Sequence, residues 1–342
     1  MTLSLTSHTA LTDLFYSSGA LNRGAVTNVS LDRQVDTIVS TLTFLAVTYS
    51  PDASPGLPER LVLKRPLATV SDATKISVNE LDFYSRLAPQ LPSPPIVPFY
   101  LATTDGTLIL QDLRTSHTNQ SWPLPPSDTD CVGMVDNLAM VHARWWQDSE
   151  LGVTLGSPHT TESLSSMVSG IAALLPGFCD AAANELSAFD RQLFERVFGS
   201  RLRPWLRLTS PKALTVVHGD AHSWNFLFPR EETGPVYLID WQLWHVDVGA
   251  RELAFLMAAH WDREYRQAKE LSLLHKYHEK LSASGIDDYS WDDLWLDYRF
   301  GAVRNLTIPL LFWNRGVPGD RWQHCLRCVL SAYDDLCGDE VL

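Results

Sequence analysis

Two hydrophobic rhythms divide this chain. Up to about Leu113, apolar residues come in short runs and alternations that predict strands. Val26 to Asp32 and Thr37 to Tyr49 read as a hairpin around polar Asp32-Arg33-Gln34, and Leu61-Val-Leu-Lys64-Arg reads as a further strand. Between them, Pro51-Asp-Ala-Ser-Pro-Gly-Leu-Pro58 is a loop by composition, and Pro92-Ser-Pro-Pro-Ile is a rigid link into the next strand. One helix interrupts this part: Ser71-Asp72 is a suitable N-cap, and Ile76, Glu80, Phe83 and Leu87 share one face of a helix running to about Ala88. Beyond Leu113 the period becomes helical. Cys131, Met134, Val135, Leu138, His142 and Trp145 trace one stripe, with His142 read as a core histidine, and further helical patterns cover 161–174, 182–199, 249–260, 263–284, 290–304 and 320–336. The pattern predicts an α+β chain with a strand-rich part at 1–113 and a mostly helical part at 114–342.

Size and charge narrow the picture. At 342 residues the chain exceeds one ordinary core, so two lobes are expected. A net charge of −13, with no run of Lys or Arg, argues against a nucleic-acid partner, whereas binding of a nucleotide depends on local groups and not on the global sum. No apolar run approaches the roughly 20 residues of a membrane span, and the N-terminus has no basic start before an apolar core, so neither membrane nor export is expected. Five cysteines, an odd number, fit a reducing cytoplasm. Cys325, Cys328 and Cys337 with His324 suggest zinc, but they follow a helical stripe with Trp322, Leu326 and Val329 and lack a second ligand pair, which favours the core. There is no internal repeat.

The chemistry concentrates in His218-Gly-Asp220-Ala-His-Ser-Trp-Asn225 and Val236-Tyr-Leu-Ile-Asp240. The run Leu214-Thr-Val-Val217 delivers Asp220 on a loop at a strand end, where a catalytic group can be exposed yet held. An Asp five residues before an Asn, followed by an Asp closing an apolar run, is the layout of a phosphoryl-transfer loop and its metal-holding strand. Two rivals stand beside this reading: an ordinary Gly-Asp turn, and a metallohydrolase centre of His218, Asp220 and His222. A distant pair weighs against both. Glu80, on the apolar face of its helix, needs a partner, and Lys64 on the preceding strand supplies one. A strand lysine paired with a helix glutamate is the phosphate-orienting device of kinases.

With these motifs the sequence resembles the aminoglycoside phosphotransferase-like kinases, a group that includes choline, macrolide and ecdysteroid-kinase-like kinases. The resemblance rests on HGDAHSWNFLF (218–228), LIDWQLWHVDVGARELAFL (238–256), the VLK strand with the NELDFYSRLAP helix, TLILQDL (107–113) and LAMVHARWW (138–146). The wording is closest to the ecdysteroid-kinase-like branch. It implies a bilobal protein-kinase-like fold with a small β-rich N-lobe. It further implies Asp220 as catalytic base, Asn225 and Asp240 as Mg²⁺ ligands, and Lys64 and Glu80 on the phosphates of ATP, or of GTP. Gln111 to Leu113 would be the adenine hinge, and Gly24, Thr27 and Asn28 a loose phosphate turn.

Two features depart from the family or stay open within it. Where relatives carry a second, loop-anchoring Asp, this chain has Gly249-Ala-Arg-Glu252, so Glu252 is the candidate for that role. The acceptor would be a small hydroxylated molecule, with Trp224, Trp241 and Trp244 as stacking surfaces. A polycation held by Asp287, Asp288, Asp292, Asp293 and Asp297, as in an aminoglycoside phosphotransferase, is the second option, and Trp291, Trp295 and Trp313 are the more distant aromatics. A macrolide phosphotransferase is a further variant. A catalytically silent nucleotide-binding module is the reading from another class; it would have lost one of Lys64, Asp220, Asn225 and Asp240, and all are present.

Overall fold

The structure is a computed structural model that describes residues 7–67, 73–102, 106–120, 125–199, 213–231 and 233–337. The expected N-cap at Ser71-Asp72 lies outside the described residues. The chain forms two compact units, one of residues 1–119 with 225–244, the other of 120–224 with 245–342.

In the first unit a five-stranded antiparallel sheet is ordered β1-β2-β3-β5-β4, from strands β1 (Val26–Asp36), β2 (Ser40–Tyr49), β3 (Arg60–Pro66), β4 (Phe99–Ala102) and β5 (Leu108–Gln111). Helix α1 (His8–Ser17), capped by the Ser7 hydroxyl, packs Leu11, Leu14 and Phe15 into a core with Val26, Leu45, Leu61, Leu63 and Ile109. Strand alternation puts Leu61 and Leu63 on that face and Lys64 on the other.

The hairpin turn is not at Asp32-Arg33-Gln34. A bulge between Leu31 and Arg33 carries the ladder on to Asp36, and Arg33 stacks over Phe44 at 4.6 Å, so these polar residues belong to an exposed edge strand. The turn forms instead at Thr37–Ser40. There the Thr37 N–H donates to the Ser40 carbonyl (2.7 Å) and the Ser40 N–H to Thr37 Oγ1 (3.0 Å).

Helix α2 (Ala73–Asp82) runs into a π turn at Phe83–Leu87 and a 3₁₀ turn at Ala88–Gln90. A second sheet joins β6 (His117–Thr118), β8 (Phe226–Pro229) and β9 (Tyr237–Leu238) in the order β6-β8-β9. Residues 225–244, remote in sequence, are thereby tied into the N-terminal unit.

The second unit is helical around a small ladder of β7 (Leu214–Val217) and β10 (His245–Val248). Its helices are α3 (Asp128–Arg144), α4 (Thr161–Ala181), α5 (Ala188–Gly199), α6 (Gly249–Ala258), α7 (Arg263–Ala283), α8 (Trp291–Asn305), α9 (Thr307–Asn314) and α10 (Gly319–Leu336). Capping boxes start α3 at Ser127, α4 at Thr160 and α8 at Ser290.

Helix α4 passes the expected end at 174 and runs through Pro176. Phe178, fully buried against Phe194, Trp313 and Trp322, rewards the extra turn. By length and composition alone α4 could cross a membrane, a property not anticipated from the sequence. Helix α5 starts late, at Ala188, because Ser187 and Asp190 cap each other there.

Candidate functional site

In the first unit Lys64 lies between two carboxylates. Its Nζ is 2.7 Å from Glu80 Oε2 and 2.6 Å from Asp240 Oδ1, with the Lys64 and Glu80 side chains 11% and 3% exposed and that of Asp240 40% exposed. Burial alone would push the Lys64 ammonium down, but Glu80 and Asp240 outweigh it and the net shift is up. Burial also pushes Glu80 up, helped by the like charge of Asp240 and opposed by Lys64. One ammonium therefore serves two carboxylates.

The segment carrying Asp240 is held from several sides. Pairing of Phe226 with Leu238, continued by the Ile239 N–H donating to the Asn225 carbonyl (2.9 Å), brings Asn225 alongside the strand that leads to Asp240. Asp240 itself is left-handed (φ 68, ψ 55), a conformation Asp tolerates better than most residues. Two residues were not foreseen. The Gln242 carboxamide, oriented so that both ends are satisfied, donates to Asp240 Oδ1 (3.3 Å) and accepts from Ser40 Oγ (3.1 Å) and Lys64 Nζ (3.1 Å). The hairpin turn at 37–40 thus meets the Lys64–Asp240 pair through Ser40. Neither Ser40 nor Gln242 carries a signal in the sequence beyond its nearness to Asp240 or to a turn.

The turn expected to hold phosphate is elsewhere. Lys64 pairs with Leu42 of β2, whereas Asn28 pairs with Thr48, and six residues along a strand are about 20 Å. Thr27 Oγ1 is bonded to the Thr48 carbonyl, and Gly24 (φ +76) lies so close to Ala53 Cα that a Cβ there would stand 2.5 Å away. These three residues shape the far end of the sheet. At the expected hinge, the N–H groups of Gln111 and Asp112 donate to Pro98 and Arg60 carbonyls, and the Leu113 carbonyl accepts from Ser116 and His117. Asp112 is buried and forked by Arg114.

In the second unit the loop after β7 is anchored by Glu252 on α6. Its carboxylate accepts the N–H groups of His218 (Oε2, 3.0 Å) and Gly219 (Oε1, 2.6 Å), and His142 Nε2 lies 2.9 Å from Oε2. His142 is indeed core, fully buried, with Nδ1 at 2.8 Å from the Tyr277 hydroxyl. A Cβ on Gly249 would stand 2.6 Å from that hydroxyl and 2.9 Å from His142 Nδ1, so glycine is required there. Burial raises the Glu252 carboxyl, but the bond to His142, the neighbouring imidazoles and the His218 N–H outweigh it and hold it below the usual range.

Asp220, 30% exposed in its side chain, follows this pinned dipeptide. Its N–H donates to His218 Nδ1 (3.2 Å), and its Oδ2 is 3.5 Å from His222 Nε2. His218, Asp220 and His222 do not gather as a metal cluster. Among the described residues the groups close enough for that are His159, His245 and Asp247, and Asp262, His324 and Cys328. Cys325 and Cys337 stand outside the latter, and Cys337 Sγ bonds the Arg299 carbonyl.

The three tryptophans expected at the acceptor belong to different units. Trp224 packs with His222 and His260 at ring distances of 4.6 and 5.6 Å, close in sequence to Asp220. Trp241 is fully buried, stacked on Phe83 at 3.8 Å, and Trp244 is 4% exposed with its Nε1 donating to the Asn79 carbonyl. Both are interior packing of the first unit and offer no surface to a ligand. In the acidic segment Asp297 is buried on the Tyr289 hydroxyl and Asp293 caps α8.

Residues 157–285 match the Ecdysteroid kinase-like family, a span that includes Asp220, Asn225, Asp240 and Glu252. No curated protein sequence matches the chain. Solved structures do. The macrolide 2′-phosphotransferase of Brachybacterium faecium is similar at TM-score 0.55 and 15% identity, covering 94% of this chain and 97% of that one. The ethanolamine kinase of Plasmodium vivax is similar at 0.52 and 11%, covering 90% and 82%. The choline kinase of Streptococcus pneumoniae, also solved with AMP, is similar at 0.50 and 14%, covering 95% and 100%. The chain thus has the bilobal protein-kinase-like fold of these phosphotransferases, and the region of its His218–Asn225 motif matches the ecdysteroid kinase-like family, as the motif wording implies.

Proposed function

We propose that this chain is a kinase that transfers the γ-phosphate of ATP to a hydroxyl of a small molecule. The observation that carries the reading is the buried Lys64 held between Glu80 and Asp240. A lysine fixed by two carboxylates is a point charge placed for phosphate, and the surplus negative charge beside it suits a hard cation. The donor set fits Mg²⁺: Asp240, the most exposed of the three, and Asn225 would supply oxygen ligands, and the ion when bound would neutralise phosphate charge.

Asp220 would take the acceptor's hydroxyl proton as that oxygen bonds to the γ-phosphorus and the bond to the β-phosphate oxygen breaks, releasing ADP. Glu252 keeps Asp220 in place by fixing the two residues before it. The Leu113 N–H would serve the adenine edge, and nucleotide binding as such is supported by the AMP complex of the similar choline kinase. GTP fits the same argument. An aminoglycoside acceptor has less support, because Asp293 and Asp297 are engaged within the protein.

The test is Asp220→Asn. Turnover on an identified acceptor should fall by about 10²–10⁴-fold, with ATP–Mg²⁺ affinity unchanged. Near-wild-type turnover would remove Asp220 from this role, and ATP binding with no transfer to any acceptor would favour a silent nucleotide-binding module.

A further inference from the structure

The second unit holds an open pocket whose lining includes Val217 and Gly219, the latter directly before Asp220. Met167, Phe255, Ile308 and Leu311 give it an apolar wall. Its polar lining includes two acids, Asp247 and Glu252, and two guanidinium groups, Arg251 and Arg304.

Both acids are already committed. Glu252 accepts from His218, Gly219 and His142. Asp247, 1% exposed, takes the Val248 N–H on Oδ1 (2.8 Å), while Arg251, Arg304 (3.2 Å) and His245 (3.2 Å) converge on its Oδ2. The bases are not used to the same extent. Burial pushes Arg304 down to about 9, which leaves it charged at neutral pH, and it also touches His159 (3.3 Å). Arg251, with 18% of its side chain exposed, meets a carboxylate among the described residues through NH1 only, which leaves most of its fork for the cavity it lines.

Among the described residues of this lining, a cationic acceptor would find no open carboxylate and two guanidiniums in its way. An oxyanion would find a forked donor whose charge is shared with a single acid.

We infer that this cavity takes a hydroxylated acceptor with an apolar body and a carboxylate, the carboxylate held by Arg251 with Arg304 behind it. The inference rests on the kinase reading for what is done to the hydroxyl, and on the cavity alone for what is bound.

Three probes of one length separate the charges: ω-hydroxyoctanoate, octanediol with terminal hydroxyls, and ω-aminooctanol. Calorimetry on the full chain without nucleotide should give the hydroxy acid an affinity about tenfold or more above the other two. Arg251→Gln should erase that preference and leave the diol's affinity in place. Equal affinities, a preference for the amino alcohol, or a preference that survives Arg251→Gln would each overturn the inference. Should the variant fail to fold, the wild-type order still decides.

A parallel assay with ATP and Mg²⁺ separates the two readings. Preference for the hydroxy acid without transfer to any probe would leave the anion site standing and remove the kinase reading. Transfer with the amino alcohol preferred would do the reverse.

Discussion

Glu80 and Glu252 are both buried glutamates on helices, and the protein uses them in opposite ways. Glu252 has a complete set of donors from two backbone N–H groups and His142, and its carboxyl is held below the usual range. Glu80 shares one ammonium with Asp240, and its carboxyl is pushed above the usual range. A carboxylate whose partners are all protein groups works as a fixed strut, here under the loop that bears Asp220. One that competes for too little positive charge marks a place where an added cation is welcome. On the kinase reading proposed above, the first centre supplies stability and the second would respond to ligand.

The strongest way to break that contrast is Glu252→Ala. It strands the buried His218 N–H, the half-buried Gly219 N–H and the buried His142 together, so a loss of about 3–5 kcal/mol is expected, read from the denaturation midpoint. A loss below about 1 kcal/mol would mean that the strut is not one.

Lys64→Met should cost less, about 1–3 kcal/mol, because Glu80 can take up a proton instead of standing as an unpaired charge. It should also abolish stabilisation by ATP–Mg²⁺, which Glu252→Gln should retain wherever that variant folds. The pH dependence has opposite signs at the two centres. Glu252 is lowered, so its contribution is present above the ordinary carboxyl value of 4.5 and lost as pH falls through its folded value. Glu80 is raised, so its contribution is full below 4.5 and lost as pH rises through its folded value. Stability curves should show Glu252→Gln flattening the acid limb and Glu80→Gln flattening the limb above it. The same change in both variants would remove the distinction.

The sequence exposes what local periodicity and motif spacing encode. Glu80 on an apolar helix face demands a cation, and the nearest strand supplies Lys64. The acid at 252 stands in a recognisable place after Asp240. What it hides depends on long-range registration. A bulge after Leu31 moves the hairpin turn to Thr37–Ser40, and with it the residues that approach Lys64, from the glycine turn at Gly24 to Ser40. Trp241 and Trp244 flank Asp240 in sequence as Trp224 flanks Asn225. Only the pairing of β8 with β9 and the packing of Phe83 decide that the first two point into a core. Helix α9 is apolar on too many sides to show a period, and α4 crosses Pro176 because Phe178 is buried beyond it, a tertiary gain that no propensity records.

The smallest effect concerns the residue that links the hairpin turn to the responsive centre. Gln242→Ala takes one partner each from Asp240, Ser40 and Lys64, but Asp240 and Lys64 keep each other, so the expected loss is about 0.5–1.5 kcal/mol. If Gln242 belongs to the charge network, its effect depends on the carboxylate it touches. A double-mutant cycle with Asp240→Asn should then return a coupling of about 0.5 kcal/mol or more. Glu252→Gln, which belongs to the other unit and shares no partner with Gln242, should couple to Gln242→Ala by less than about 0.3–0.5 kcal/mol. Coupling to Asp240 that is no larger than coupling to Glu252 would reduce Gln242 to packing, and the responsive centre to Lys64, Glu80 and Asp240 alone.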